Sequence, residues 1–514
     1  MTPSLWILVP ALGLIALAIY DLVQTRHAIL RNFPVVGHFR YFIESLGPEL
    51  RQYIVARNDE ELPFSRDQRR WVYASAKEQN NYFGFGTDNN LELTPNYLIV
   101  KHSAFPLLEP RKGDPSFDPH YTLPVAKVLG GPRQRAKAFR PDSVVSVSGM
   151  SFGSLSSAAV EALNKGSRGA GCLHNTGEGG IAPHHDHGGE LIWQIGTGYF
   201  GCRDRDGNFS LERLKEAVER YPVRALEIKL SQGAKPGLGG VLPAAKNTPE
   251  IAKIRLIEPG KDYISPARHT AFDGIDGLLD FAETLAAETG LPVGVKSAVG
   301  DLDFWDELAR RSNETGKGLD FVSIDGGEGG TGAAPLTFSD HVALPFKLAM
   351  ARVYRVFAEA GLHEKTVFIG SGKLGFPESA LVAFALGCDM VAIAREAMLA
   401  IGCIQAQECH TGRCPTGVAT QSRWLMRGLD PASKADRFTH YVRVLRKDLL
   451  RLSRACGHPH PALVGMDRLE ILDDRFGSRS AREVFGYEPH WGFPSSEDQE
   501  ILRDLMADIG QPNT

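Results

Sequence analysis

Apolar and polar positions divide the chain into four stretches. Leu5 to Tyr20 (LWILVPALGLIALAIY) holds no charge, and Asp21 is followed by Leu22 and Val23. This first stretch, 1–23, matches the roughly 17–25 residues of a bilayer span. No Lys or Arg precedes it, whereas Arg26, Arg31 and Arg40 follow it. The positive-inside rule then predicts a single-pass transmembrane anchor with the catalytic domain in the cytoplasm. A cleaved signal peptide ending near Ala16-Leu17-Ala18 and a buried core helix are the alternatives. In the second stretch, 24–95, Phe42-Ile43, Leu46, Leu50 and Tyr53-Ile54 recur at helical spacing, which predicts a polar helical collar.

From about residue 140 the texture changes. Short β-branched runs alternate with helical stretches: Val144–Ser148, Cys172–Asn175, Trp193–Gly196, Ala225–Leu230, Val293–Lys296, Phe321–Ile324, Val367–Gly370 and Met390–Ala394. Strands alternating with helices imply a parallel sheet. Eight such units predict a closed (β/α)8 TIM barrel over 96–430, with an open doubly wound sheet as the competing α/β architecture. The last stretch, 431–514, is helical and charged from Lys434 to Leu452 and loop-rich afterwards, a C-terminal helical extension.

Composition narrows the chemistry. Apolar residues make up 43% and charged residues 23%, enough for a sizeable core. The net charge of −4, with both signs interspersed, leaves no electrostatic footprint for nucleic acid.

A barrel carries its chemistry at the carboxyl ends of its strands, and the residues there are unusual. They read Ser148-Gly149-Met150-Ser151, then His174-Asn175-Thr176-Gly177-Glu178, then Ser231-Gln232-Gly233-Ala234-Lys235. Lys296-Ser297, Asp325-Gly326-Gly327-Glu328-Gly329-Gly330-Thr331-Gly332 and Gly370-Ser371-Gly372-Lys373 follow. Glycine permits close approach of backbone to a flat ring or a phosphate, and Gly370–Lys373 with Arg395 suits a phosphate. His184, His185 and His187 cluster after the second run. They read as lining the mouth or facing water, with a mononuclear metal site as the sharper alternative.

Three of the seven cysteines, Cys403, Cys409 and Cys414, stand at C-x5-C-x4-C with Pro415 next. Three thiolates suit a three-iron cluster or a four-iron cluster with an open corner. Zinc with His410 as a fourth ligand, or three buried thiols, remain alternatives, although the paired knuckles of structural zinc sites are absent.

The segments SGMSFGSLSSAAVEAL, HNTGEGG, EIKLSQGAKPGLGGVLP, DGGEGGTGAAPLT and GCIQAQECHTGRCPTGVATQ resemble, in order, the hallmarks of the FMN-binding domain of glutamate synthase. The resemblance covers roughly residues 95–425. It implies a barrel holding FMN, a [3Fe–4S] cluster on Cys403, Cys409 and Cys414, and reductive amination of 2-oxoglutarate, by way of 2-iminoglutarate, to L-glutamate. It places Glu178, Lys235, Gln232 and Arg255 around the substrate. Around the flavin it places Ser148, Gly149, Met150, Ser151, Asn175, Gln194, Lys229, Lys296, Gly326, Gly327, Gly330, Thr331, Gly332, Ser371, Gly372, Lys373 and Arg395. The electron donor it implies is a ferredoxin or a reductase subunit.

The departures bear on the substrate. The chain starts Met-Thr and its first cysteine is Cys172, so the family's amino-terminal glutaminase nucleophile is not expected, and free ammonia or an ammonia-supplying partner takes its place. The carboxyl-terminal β-helix is not expected either, and Gly274 stands where the family has serine. Two other readings follow: a flavin and iron–sulfur electron-transfer subunit, or an enzyme that forms N-methylglutamate. A non-catalytic scaffold is the fourth.

Overall fold

The computed structural model describes residues 3–24, 28–55, 57–114 and 116–509. The chain forms two compact units, one running to Arg70 with Gly86–Asn89, the other comprising Trp71–Phe85 and the chain from Asn90 onward.

In the first unit a helix covers Pro3–Val23, followed by helices at Ala28–Asn32 and Gly37–Leu50. The expected membrane anchor is not upheld, because no helix among the described residues is long and apolar enough to cross a membrane. The single-pass placement falls with it. Pro10 lies inside the first helix, and Asp21 near its end is fully buried. The Asp21 carboxylate accepts the Val35 N–H at 2.8 Å and pairs with His38 at 3.0 Å. Apolar composition was visible in the sequence; this polar corner, closed by residues 14 and 17 positions downstream, was not. Arg26, one of the expected basic flanks, lies outside the described residues.

The second unit is built on a closed barrel of eight parallel strands. They are β1 (Val145–Val147), β2 (His174–Asn175), β3 (Leu191–Ile195), β4 (Val223–Lys229), β5 (Val293–Ser297), β6 (Phe321–Asp325), β7 (Val367–Ser371) and β8 (Met390–Ile393). Each pairs with its sequence neighbours, and β8 closes on β1 in the register Val391↔Val145 to Ile393↔Val147. Each of the eight apolar runs in the sequence overlaps one of these strands, with ends that differ by at most two residues. Parallel strands covered on both faces tolerate few polar residues, which is why the runs are nearly continuous.

Local signals set the helices. Ser156 caps Ser157–Ala170 by accepting the Ala159 N–H, and Gly171 ends it in a left-handed conformation. That helix packs along Pro431–Ala455, where Thr439 Oγ1 donates to the Gly166 carbonyl at 3.1 Å and Arg446 Nη1 to the Ala170 carbonyl at 2.9 Å. After β4 the chain makes a long excursion. A two-stranded ribbon, Val241–Leu242 with Tyr263–Ile264, and a helix, Pro249–Arg255 capped by Thr248, precede the covering helix Gly274–Thr289.

Candidate active site

Strand ends and the excursion after β4 bring the predicted charges together. Glu178, after β2, pairs with Lys229 at the end of β4, Oε1 to Nζ 2.9 Å. Lys229 also donates to Gln232 Oε1 at 3.3 Å, while Gln232 Nε2 donates to the Gly330 carbonyl at 2.7 Å. Burial pushes the Glu178 carboxyl up, but the Lys229 ammonium, with Lys235 and Arg255, outweighs it and holds the group below the usual carboxylate range.

Lys235 is 8% exposed. Burial pulls its ammonium below the usual lysine range, Glu178 opposes that pull, and Lys229 adds repulsion. Arg255 ends the helix Pro249–Arg255 and is 6% exposed. Burial lowers its guanidinium to about 10 against the attraction of Glu178, so it stays charged at neutral pH. Its Nη2 donates to the Phe152 carbonyl at 2.8 Å and its guanidinium centre lies 4.9 Å from the Phe200 ring centroid. Its Nε is buried without a hydrogen-bond partner, a donor left for a ligand.

A second tier lies at the strand ends. Gly149 follows β1 where a Cβ would fall 2.8 Å from Gln194 Nε2 and 3.0 Å from Asn175 Oδ1, so only glycine lets the backbone cross those amides. Met150 and Ser151 abut Gly177, whose N–H donates to Asn175 Oδ1 at 3.0 Å. Lys296 Nζ lies 3.4 Å from Ser148 Oγ and 3.5 Å from Asp325 Oδ2. Asp325 Oδ2 also accepts the Gly233 N–H at 3.0 Å. This cradle of amides, a cation and a side-chain-free backbone fits a planar heterocycle.

On the other side of the mouth, Gly326 N–H donates to the Ser371 carbonyl at 2.9 Å and Gly327 N–H to that of Leu344 at 2.9 Å. Gly372 packs on Gly326 and Phe346, and burial and Arg395 both lower the Lys373 ammonium. Arg395 packs along Gly330 and donates to the Glu328 carbonyl. Gly332 approaches Ser154, and Thr331 Oγ1 donates to the Ala333 carbonyl at 3.2 Å.

Among the described residues no three Cys, His, Asp or Glu side chains are gathered as a metal-binding group. Cys403, Cys409 and Cys414 lie in the loop between the helices Arg395–Ala400 and Arg423–Met426. Burial alone would push the Cys414 thiol up, but the N–H groups of Ala419, Thr416 and Val418, with the Thr416 hydroxyl, bring it below the usual thiol range. Cys403 Sγ accepts the Gln405 N–H at 3.4 Å. Burial raises the Cys409 thiol, with Cys414 adding to the rise and Lys246 opposing it.

His184 pairs with Glu250 at 2.9 Å and His187 stands 3.9 Å from Glu161, while His185 is buried. The three do not share a centre.

Sequence reasoning missed two residues. Glu227, on β4, is 2% exposed and accepts Asn175 Nδ2 at 2.8 Å, Gln194 Nε2 at 2.7 Å and Ser323 Oγ at 2.6 Å. Its signal was present, a lone acid inside the apolar run Ala225–Ile228. Lys246, also buried, donates to the Cys409 carbonyl at 2.7 Å, that of Ala419 at 3.3 Å and that of Ser154 at 3.4 Å. Nothing local marked it.

A closed barrel of eight parallel strands with buried carboxylates and cations gathered at its strand ends is the architecture of a (β/α)8-barrel enzyme. The conserved region in glutamate synthase matches residues 125–459, and the chain belongs to the glutamate synthase family of oxidoreductases. It is 39% identical over 472 residues to a glutamate synthase large subunit-like protein, YerD, of Bacillus subtilis (strain 168), covering 86% of this chain and 89% of that protein. It is 36% identical over 324 residues to the archaeal glutamate synthase (NADPH) of Methanocaldococcus jannaschii, covering 62% of this chain and 59% of that one. A large subunit-like protein of Rhizobium meliloti (strain 1021) is 30% identical over 65% of this chain and 76% of its own length.

Proposed function

We propose that the barrel binds FMN and reductively aminates 2-oxoglutarate, by way of 2-iminoglutarate, to L-glutamate. The observation that carries this reading is the pair of buried cations Lys235 and Arg255, the latter with its Nε unpartnered, near the Glu178 carboxylate. Two separated cations match a dicarboxylate, and a planar guanidinium binds one carboxylate in two hydrogen bonds. A pure electron relay has no use for such a clamp.

FMN would supply the hydride. Asn175, Gln194, Lys296 and the Gly149 backbone would hold its ring, and Ser371, Gly372, Lys373 and Arg395, with the Gly326-Gly327 and Gly330–Gly332 segments, its phosphate side. Arg255 and Lys235 would hold the acid by its carboxylates and so fix its orientation. Gln232, tethered through the Gly330 carbonyl, fixes the substrate loop beside Lys229. Glu178, kept ionised by its cations, stabilises the positive charge of an iminium. Cys403, Cys409 and Cys414 are proposed to hold an iron–sulfur cluster, supported by their spacing and by the N–H donors at Cys403 and Cys414. A ferredoxin or reductase subunit would feed it, and ammonia would come free or from a partner.

The test is turnover by flavin-loaded protein, chemically reduced under anaerobic conditions. Flavin reoxidation on adding 2-oxoglutarate with ammonia, and formation of L-glutamate, are expected. Reoxidation only by other electron acceptors would favour the relay, and turnover of glutamate with methylamine would favour an N-methylglutamate-forming enzyme.

A further inference from the structure

We propose that His269 is a positioning residue for the acid site, a latch that ties the return arm of the excursion after β4 to the strand end it left. The inference rests on the substrate reading above and adds a residue to it. His269 lies between the ribbon strand Tyr263–Ile264 and the covering helix Gly274–Thr289, and it is 6% exposed. Its Nε2 meets the Lys229 carbonyl at 2.9 Å, 40 positions back along the chain. Its Nδ1 meets the Tyr199 hydroxyl at 3.2 Å, and its ring stacks on Phe272 with centroids 4.9 Å apart.

The neighbours fix which ring nitrogen carries the hydrogen. Tyr199, fully buried, follows β3 in the left-handed conformation at φ 49°, uncommon for a residue with a side chain. Its oxygen accepts the N–H groups of Thr270 and Ala271, each at 2.9 Å. With both lone pairs engaged, the hydroxyl has only its proton to offer, so it donates to His269 Nδ1. The neutral ring then carries its hydrogen on Nε2 and donates it to the Lys229 carbonyl. Burial favours this neutral form and lowers the imidazole below its usual range, against the Lys229 contact and Glu178, which both pull it up.

Lys229 is the last residue of β4. The peptide between it and Leu230 is pinned from both sides: its N–H donates to the Lys296 carbonyl on β5 at 2.9 Å, and its carbonyl accepts from His269. The side chain that holds Glu178 springs from this point, and the chain leaving it carries Gln232 and Lys235. Without His269 one of the two pins is lost, the peptide plane is free to turn, and the segment that presents Lys235 to the acid moves with it.

Two substitutions separate a latch from a filler. His269→Phe keeps a ring against Phe272 but can neither accept from Tyr199 nor donate to Lys229. His269→Gln loses the ring, but its amide can do both. The measurements are steady-state kinetics of flavin-replete protein with 2-oxoglutarate and ammonia, and amide hydrogen exchange of flavin-free protein over residues 229–236. KM for 2-oxoglutarate should rise about three- to tenfold in His269→Phe, more than in His269→Gln, with kcat changing less than KM. Exchange over 229–236 should quicken in the same order. Loss of folded protein alone would lower the apparent kcat and leave KM as it was. An unchanged KM in His269→Phe, or a rise in His269→Gln that equals or exceeds it, overturns the proposal. Should His269→Phe fail to fold, Tyr199→Phe removes the proton given to Nδ1 and keeps the ring. It should raise KM likewise, and the parent's KM in that variant overturns the proposal equally. A parent that turns over no 2-oxoglutarate would overturn the substrate reading instead. The exchange comparison then decides the latch: faster exchange in His269→Phe than in His269→Gln upholds it, and equal exchange overturns it.

Discussion

Lys229 Nζ stands 2.9 Å from Glu178 Oε1, joining the loop after β2 to the end of β4. The pair is largely buried, its side chains 12% and 20% exposed. It therefore gains more from mutual attraction than a surface pair and loses more when broken. With Lys235 and Arg255 near, the carboxylate has more positive charge around it than it can neutralise, and the mouth keeps a cationic surplus for an anionic substrate.

Glu178→Gln keeps the shape and removes the charge. With the anion assigned to stabilising positive charge in the reaction, kcat should fall about a hundredfold. KM for the acid should hold or fall, because the clamp cations lose an internal competitor. Steady-state kinetics on flavin-replete protein separate the two. A raised KM with normal kcat would make Glu178 a binding group instead.

Arg255→Met preserves much of the stem and its packing on Phe200 while removing the guanidinium. Loss of a charge-assisted contact costs about 1.5–3 kcal/mol, so KM for 2-oxoglutarate should rise roughly ten- to a hundredfold. FMN content should remain unchanged. Equal KM in parent and variant would remove Arg255 from the clamp.

Lys235 gives the site an alkaline limit. Its folded-state ammonium deprotonates below the usual lysine range because burial penalises the charge. Acid binding that needs the ammonium should weaken as pH rises through that lowered value, sooner than an exposed lysine would allow. The pH profile of kcat/KM should carry an alkaline limb that moves upward in Lys235→Arg, whose charge persists. An identical limb in that variant would assign it to another group.

The barrel was legible because most of its parallel strands, covered on both faces, are nearly continuous apolar runs, and because glycine- and lysine-bearing ends followed six of them. The charges around Glu178 were legible as residue types. Their mutual geometry was not, since Arg255 arrives from a helix beyond the ribbon after β4. Glu227 passed unremarked within the run Ala225–Leu230, although an acid inside a buried apolar run is the local sign of a buried polar network. Lys246 binds segments centred on Ser154 and Cys409, and contacts at that separation leave no pattern within any short window. The apolar amino terminus shows the converse failure. Hydropathy counts side chains, and Asp21 becomes intelligible only with Val35 and His38 folded onto it.

Cys409→Ala tests the three-cysteine loop. Lys246 holds this loop through the Cys409 carbonyl, a backbone contact that the substitution leaves in place. The fold and FMN content should therefore persist while any cluster signal in paramagnetic resonance and the sulfur-to-iron absorption disappear. A signal equal to the parent's would exclude Cys409 as a ligand.

His460 supplies a stability test independent of cofactors. It is fully buried, its Nε2 donates to the Pro124 carbonyl at 2.9 Å and its Nδ1 accepts the Ala462 N–H at 3.1 Å. Both ring nitrogens are thus committed to the neutral form, and protonating Nδ1 would set N–H against N–H. Burial lowers its pKa to about 4, against the Pro124 contact that favours the charged ring. The unfolded chain protonates this histidine near 6.5, so between 6.5 and about 4 the unfolded state binds the extra proton. Stability should accordingly decline as pH falls through that window, by up to about 1.4 kcal/mol per pH unit from this residue alone. The loss should level off below the folded value. His174, buried and lowered to about 3, extends the same trend to more acid pH. Urea midpoints measured from pH 7 to 4 should show this slope in the parent and a shallower one in His460→Gln. Equal slopes would mean that His460 titrates alike in both states.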